Sequence, residues 1–156
     1  MKNLYIIIMI PTLTFGQIKQ LNTVLYGDGI NSSKSRTSLE LEIQEAINFH
    51  NTIRSYQLNT LLEYDQNLSI SAKQWAENVI KTGDLDYDTN IPGSVGELLY
   101  RVDTTDEIPN YNPYLDATTY WATNGGSGTM SFDEYQTVGM GVAYGNGKVV
   151  VVARYK

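Results

Sequence analysis

The sequence predicts an α+β domain, because two segments with helical periodicity precede a C-terminal pair of β-strands. Apolar side chains recur every three or four positions in residues 38–54, and residues 65–81 repeat this pattern. Near the end of the chain, two valine-rich runs are joined by Gly145-Asn146-Gly147, which is typical of a β-hairpin turn. The chain has 156 residues and no cysteine, so one domain must hold its core without disulfides.

Both predicted helices carry residues that favour their ends. Ser38 can cap the first helix, and Glu40 lies in its first turn. Asp65 suits the N-cap of the second helix, while Gly83 suits the left-handed position that follows its last turn. These signals place the two helices at residues 38–54 and about 65–81.

The rest of the chain alternates between turns and short elements. Residues 84–116 are acidic and contain Pro92, Pro109 and Pro113, so this segment is predicted to have little regular structure. A short helix is predicted at residues 116–122, and the Gly-rich residues 123–128 are predicted to form a flexible loop.

The N-terminal segment is predicted to direct secretion. Residues 1–16 combine a basic start with a short apolar run that Pro11 interrupts, which is typical of a signal peptide and too short to span a membrane. Residues 17–38 are predicted to be a linker or leader, and residues 39–156 to be the domain. Secretion would make Asn31 and Asn67 candidates for glycosylation, since both lie in Asn-x-Ser sequons.

Composition and motif content exclude several kinds of activity. A formal net charge of -6 and a sequence pI near 4.6 disfavour nucleic acid as a partner. A single histidine excludes metal sites that need two. This residue, His50, lies on the apolar face of the first predicted helix, so we expect a buried, hydrogen-bonded side chain instead of a catalytic base. No phosphate-binding loop, dinucleotide fingerprint or nucleophile elbow is present, and no cofactor is predicted.

Carboxylates are the remaining candidates for a reactive group. Asp84, Asp86 and Asp88 alternate as in a calcium loop but lack its glycine and its final glutamate, which favours a solvated acidic loop. Glu97 is different because it precedes the apolar pair Leu98-Leu99, where a carboxylate must be paired or hydrogen-bonded. It is therefore either a site residue or a residue that holds a loop through backbone amides.

Several motifs follow one another in an order that resembles the CAP superfamily, the cysteine-rich secretory, antigen-five and pathogenesis-related proteins, also called SCP or TAPS domains. The match covers roughly residues 39–156. The matching segments are His50-Asn51-Thr52-Ile53-Arg54, Leu62-Glu63-Tyr64-Asp65, Ala72-Lys73-Gln74-Trp75-Ala76, Gly96-Glu97-Leu98-Leu99, Val138-Gly139-Met140-Gly141-Val142-Ala143 and Val151-Val152-Ala153-Arg154-Tyr155.

The resemblance implies an α-β-α sandwich with a small antiparallel sheet between helical layers. It also implies an extracellular protein that is not an established enzyme. Family members have a cavity with two histidines and two glutamates that can hold a divalent metal, and their reported roles include sterol or fatty-acid binding and protein–protein interaction.

Only part of that cavity carries over to this sequence. Glu97 corresponds to one family glutamate, whereas Tyr87 stands where a histidine is expected. Asn124 stands where the second glutamate is expected, if Trp121 is the tryptophan of the third helix, and residues 126–135 contain no histidine. The resemblance thus implies a cavity remnant without a metal site.

The sequence therefore predicts a secreted, non-catalytic binding protein with no stable membrane insertion. Its ligand is either a small lipid or sterol, with Tyr111, Tyr114 and Tyr120 as binding candidates, or an extracellular protein that contacts the acidic, tyrosine-rich residues 84–120. The alternatives are a hydrolase that depends on Glu97 and a degenerate extracellular structural domain.

Overall fold

A mixed four-stranded sheet with helices on both faces forms the domain. The computed structural model describes residues 38–103 and 111–156. In chain order the elements are α1 (Ser38–Tyr56), β1 (Glu63–Tyr64), α2 (Gln66–Thr82), β2 (Gly96–Asp103), α3 (Pro113–Thr123), α4 (Ser127–Met130), β3 (Thr137–Gly145) and β4 (Lys148–Tyr155). The predicted α+β fold is confirmed, although the sheet is not purely antiparallel, because β1 pairs with β3 in parallel. Within these residues, no helix is both long and apolar enough to cross a bilayer.

The order of the strands is β1-β3-β4-β2, so β4 lies between two antiparallel neighbours. Side chains on one face of the sheet pack with α1 and α3 in the larger apolar core. Side chains on the other face pack with α2 in a smaller core of alanines and valines. Gly139 and Gly141 permit α2 to approach, since a Cβ on either would overlap the backbone of Ser69 or Lys73.

The structure has α2 and the β3–β4 hairpin where the sequence of their own end residues predicts them. Asp65 caps α2 by accepting hydrogen bonds from the amides of Asn67 and Leu68, and Gly83 follows its end with φ 84°. Strands β3 and β4 are joined through Asn146 (φ 53°) and Gly147 (φ 68°), the left-handed pair that a type I′ turn requires.

The structure differs from the prediction between α2 and β3. Strand β2 pairs with β4 over eight residues, from Gly96↔Tyr155 to Asp103↔Lys148, so the expected lack of regular structure is wrong for this segment. Helix α3 begins before the predicted residue 116, because Asn112 caps it and Pro113 occupies its first turn. Part of the predicted loop at residues 123–128 is the beginning of the short helix α4. The predicted signal peptide and most of the linker lie outside the described residues.

Candidate functional site

Glu97 lies inside a buried cluster of acidic and basic side chains on the sheet. It is directly opposite Arg154 in the pairing of β2 with β4. The Nε of Arg154 donates to Oε2 of Glu97 at 2.9 Å, and its Nη2 lies 2.9 Å from the same oxygen. Both residues are less than a tenth exposed. The carboxylate therefore has a permanent cation beside it.

A second carboxylate completes this cluster. Nη2 of Arg154 also donates to Oδ2 of Asp88 at 2.7 Å, and the backbone amide of Asp88 donates to Oε1 of Glu97 at 2.9 Å. Asp88 in turn accepts from the amide of Asn90. We call Asp88, Glu97 and Arg154 the arginine cluster. It attaches the loop before β2 to the centre of the sheet.

The same loop has a second attachment to α2. Nε1 of Trp75 donates to the backbone oxygen of Asp86 at 2.9 Å. Asp84 and Asp86 are exposed, as expected for a solvated acidic loop, but the Asp88 side chain is only 13% exposed. For Asp88 that expectation is wrong, because its charge is compensated by Arg154 and not by water.

Burial and charge act in opposite directions on the two carboxyl groups. Burial is the largest influence on Glu97 and raises its pKa, although the amide of Asp88 and the guanidinium of Arg154 favour its ionised form. Burial also opposes ionisation of Asp88, but the hydrogen bond from Asn90 and the contacts with Arg154 outweigh it and lower the pKa of Asp88. If one of the two acids takes up a proton as the pH falls, it is Glu97.

The arrangement leaves Glu97 poorly suited to general-base catalysis. Both of its oxygens accept hydrogen bonds, from the Asp88 amide and from Arg154. A general base needs a lone pair within reach of a substrate proton. This geometry matches the loop-holding role that the sequence left open for Glu97, extended by an ion pair that the sequence did not predict.

The other residues of the cavity remnant lie in different environments. Tyr87 is 62% exposed. Asn124 ends α3, where its side-chain amide donates to the backbone oxygen of Tyr120 and to the hydroxyl of Thr123. In residues 38–103 and 111–156, no hydrogen bond or ion pair joins Tyr87 or Asn124 to Glu97, and no three acidic or histidine side chains form a group that could hold a metal. The residues present therefore do not fit the metal that the family cavity implies.

The three candidate binding tyrosines differ in exposure. Tyr114 is 3% exposed and belongs to the core. The hydroxyls of Tyr111 and Tyr100 both donate to Oδ2 of Asp116, at 3.0 and 2.6 Å. Burial is the largest cause that raises the pKa of both phenols, and the negative charge of Asp116 raises it further. Tyr120 is half exposed, and its ring is tilted against Tyr100 at 5.2 Å. Of the three candidates, Tyr120 presents the most surface to a partner.

His50 is buried and hydrogen-bonded, as predicted from its place on the apolar face of α1. Nδ1 lies 2.9 Å from the backbone oxygen of Ala46, which can only accept, so Nδ1 carries the proton. In the neutral ring, Nε2 then accepts from the hydroxyl of Tyr155 at 2.8 Å. Burial lowers the pKa of His50 to about 4. The hydrogen bond to Ala46 acts in the opposite direction and raises the pKa, whereas the positive charge of Arg54 lowers it. Neither ring nitrogen contacts a carboxylate or a serine, so the geometry is not that of a catalytic triad.

Arg54 connects two loops and was not singled out from the sequence except as part of a family motif. Its side chain is fully buried. The guanidinium donates to the backbone oxygens of Thr60, Met130, Phe132 and Tyr135, at 2.6 to 3.1 Å. Burial lowers its pKa. The pattern of apolar residues alone sets Arg54 on another face of the helix, which is wrong, because its spacing of four from His50 places both side chains on the buried face of α1.

The glycosylation candidates can be placed only in part. Asn67 is exposed in the first turn of α2. Asn31 lies outside the described residues.

Comparison with known proteins identifies relatives of both the sequence and the fold. The profile of CAP, the cysteine-rich secretory protein family, matches residues 47–155. No curated protein sequence matches the chain significantly.

Several solved structures share the fold at low sequence identity. Venom allergen-like protein 4 of Schistosoma mansoni is 18% identical with a TM-score of 0.53, over 72% of this chain and 85% of that one. An outer surface protein of Borrelia burgdorferi is 12% identical with a TM-score of 0.57, and the match covers 76% of this chain and 94% of that protein. NaASP2, solved with Zn²⁺, is 16% identical with a TM-score of 0.56, and the match covers 80% of this chain and 82% of that protein. At these identities the likeness concerns the fold alone.

Proposed function

Since the chain belongs to the CAP family of cysteine-rich secretory proteins, we propose that it is a secreted protein that acts by binding an extracellular protein and catalyses no reaction. The arginine cluster carries this proposal. Glu97 is the residue of the family cavity that this sequence retains, and Arg154 and the Asp88 amide occupy both of its oxygens. The contacts of this carboxylate stabilise the fold, and it is only 8% exposed to a substrate.

A Glu97-dependent hydrolase is the less favoured function. Such an enzyme would need Glu97 to exchange protons with a substrate or water, while Arg154 stabilises its ionised form within the sheet. His50 cannot assist, because its two ring nitrogens are bonded to Ala46 and Tyr155 inside the core.

A protein partner is favoured over a small lipid or sterol by the placement of the tyrosines. Tyr114 is part of the core, and the hydroxyls of Tyr100 and Tyr111 are bonded to Asp116. The exposed aromatic side chains in the acidic, tyrosine-rich segment are Tyr87 and Tyr120, at 62% and 49%. Partly exposed tyrosines are typical of protein interfaces.

Native mass spectrometry of the chain secreted from a eukaryotic host tests the ligand. We expect a mass without a lipid, which stays unchanged when zinc or a lipid extract is added. A stoichiometric sterol or fatty acid would instead support the lipid carrier. Cleavage after Gly16 and added glycan at Asn31 or Asn67 would appear in the same spectrum, and an intact N-terminus in the secreted product would contradict the proposed signal peptide.

Comparison of the native chain with Glu97→Gln tests the absence of catalysis. Glutamine keeps the size of the side chain and removes its charge. We expect neither protein to hydrolyse ester, peptide or glycoside substrates above the rate without protein. Turnover by the native chain that Glu97→Gln abolishes would establish the hydrolase and overturn the proposal.

A further inference from the structure

Leu58 has a backbone conformation that disfavours leucine. Helix α1 ends in a Schellman motif, in which the amide of Leu58 donates to the oxygen of Ser55 and the amide of Asn59 donates to the oxygen of Arg54. This motif places Leu58 in the left-handed region, with φ 60°. Glycine is the usual residue there, because a Cβ crowds the following carbonyl.

The two Schellman hydrogen bonds hold this conformation, but the Leu58 side chain gains no burial from it. The Leu58 side chain is 95% exposed, so it contributes almost nothing to the core. A bulky residue held in a strained conformation is an observation from which function can be inferred. Burial against a partner would give this side chain a stabilising contact that the free domain does not provide.

Further exposed apolar side chains lie at the end of α1, on the first loop after it (residues 57–62) and on a second loop between α4 and β3 (residues 131–136). Tyr56 and Leu61 flank Leu58 and are 71% and 52% exposed, and Phe132 on the second loop is 44% exposed. The side-chain amide of Asn59 donates to the backbone oxygen of Ser131, which joins the residue after Leu58 to the residue before Phe132. We call Tyr56, Leu58, Leu61 and Phe132 the Leu58 surface.

The Leu58 surface has a rigid base. The fully buried Arg54 donates hydrogen bonds to the backbone oxygen of Thr60 in the first loop and to that of Phe132 in the second. The Phe132 ring contacts Tyr135, whose ring stacks on the buried Tyr155 at 5.8 Å. A rigid surface loses little conformational entropy when a partner binds, which favours recognition.

Charges around this surface indicate the chemistry of the partner. Glu63, Asp133 and Glu134 are exposed on or beside the two loops. Arg54, which joins the loops and on which Asp133 acts electrostatically, is buried. The exposed Lys156 pairs through its backbone with Gln136 and Thr137, so three exposed acids stand beside one exposed base. A basic partner is therefore attracted, whereas a second copy of this chain or an anionic membrane would place like charges together.

We propose that the Leu58 surface docks a protein that presents an apolar pocket edged by lysine or arginine. Leu58 enters the pocket, and Asp133 and Glu134 face the basic edge. This inference rests on the proposed function, protein binding, and assigns it to a surface whose residues lie outside the segment 84–120.

A stability measurement tests the premise that leucine is unfavourable at this position in the free domain. We expect Leu58→Gly to raise the midpoint of thermal unfolding by a few degrees, since glycine adopts the left-handed region without strain. Ile70→Ala, at an exposed position on α2, should not raise it. A lower midpoint for Leu58→Gly would show that leucine stabilises the free domain, and would overturn the inference.

Selection from a phage-displayed library of small folded domains with a randomised concave face tests the docking itself, because a folded domain can present a pocket. We expect enriched domains whose randomised faces combine apolar residues with lysine or arginine, and that bind Leu58→Gly about tenfold or more weakly than the native chain. Ile70→Ala should bind them as the native chain does. Replacing both Asp133 and Glu134 by their amides should weaken binding and reduce its salt dependence.

Other outcomes distinguish this inference from the proposed function. Enriched domains that bind Leu58→Gly as tightly as the native chain would overturn the Leu58 surface while leaving protein binding intact. If no domain is enriched, the Leu58 surface is overturned as well. Binding to phosphatidylcholine vesicles, or dimerisation in sedimentation, that Leu58→Gly abolishes would reassign the surface to a membrane or to a second copy, and would also overturn the inference.

Discussion

Acidification tests the environment of His50, the only histidine in the chain. Burial lowers its pKa from 6.5 to about 4 in the folded state, so the unfolded state takes up the proton first. Stability is therefore lost as the pH falls from above 6.5 towards 4. The full difference corresponds to about 3 kcal/mol, and about 2 kcal/mol of it is lost between about pH 7.5 and pH 5.

Urea unfolding at those two pH values, followed by tryptophan fluorescence, measures this loss. His50→Gln is the matched control, because its amide can donate to Ala46 and accept from Tyr155 but does not titrate. Carboxyl groups titrate in both proteins, including Glu97, whose raised pKa acts in the opposite direction. Between these two pH values, the free energy of unfolding should fall by about 2 kcal/mol more in the native chain than in His50→Gln. Equal losses in the two proteins would refute the neutral, buried histidine.

Three further predictions concern packing and buried charge. Arg154→Met should lower the free energy of unfolding by about 3–5 kcal/mol, because it leaves Glu97 buried without its cation, and adding Glu97→Gln should restore part of the loss. Arg54→Lys should lower it by about 2–3 kcal/mol, since lysine lacks the planar fork that reaches several carbonyls. Gly141→Ala should lower it by about 1–3 kcal/mol through overlap with the backbone of α2, whereas Gly128→Ala, with open space around it, should change it by less than about 0.5 kcal/mol. Urea unfolding at neutral pH measures all of these.

Each prediction has an outcome that contradicts it. Arg154→Met with native stability would mean that Glu97 is not buried as an ion. Arg54→Lys with native stability would mean that the carbonyl contacts of Arg54 can be replaced by water. If Gly141→Ala and Gly128→Ala behave alike, the close approach of α2 to β3 is wrong.

Helix α2 and the turn between β3 and β4 could be predicted from the sequence, because residues at their own ends determine them. The carboxylate of Asp65 bonds to amides two and three residues later, and Gly83 accepts a conformation that other residues avoid. The turn at Asn146-Gly147 likewise depends on its own two residues. His50 was placed correctly because helical periodicity alone puts it on the buried face of α1.

Strand β2 could not be predicted in this way. It follows an acidic, turn-rich loop, and its residues carry Glu97, Arg101 and Asp103 among the apolar ones. The strand forms because β4 offers it a full row of backbone partners about 50 residues later in the chain. Such pairing is tertiary context, which overrides the local preference of a short segment.

The arginine cluster shows the same limit at the level of a site. Arg154 lies 57 residues from Glu97 and 66 from Asp88 along the chain, and only the register of β2 against β4 brings them together. Sequence comparison with the family directs attention to lost histidines and therefore to a missing metal. In the structure, the positive charge beside Glu97 is the guanidinium of Arg154, a side chain of the protein itself. Because Arg154 is covalently part of β4, the charge balance of Glu97 is fixed when the sheet forms.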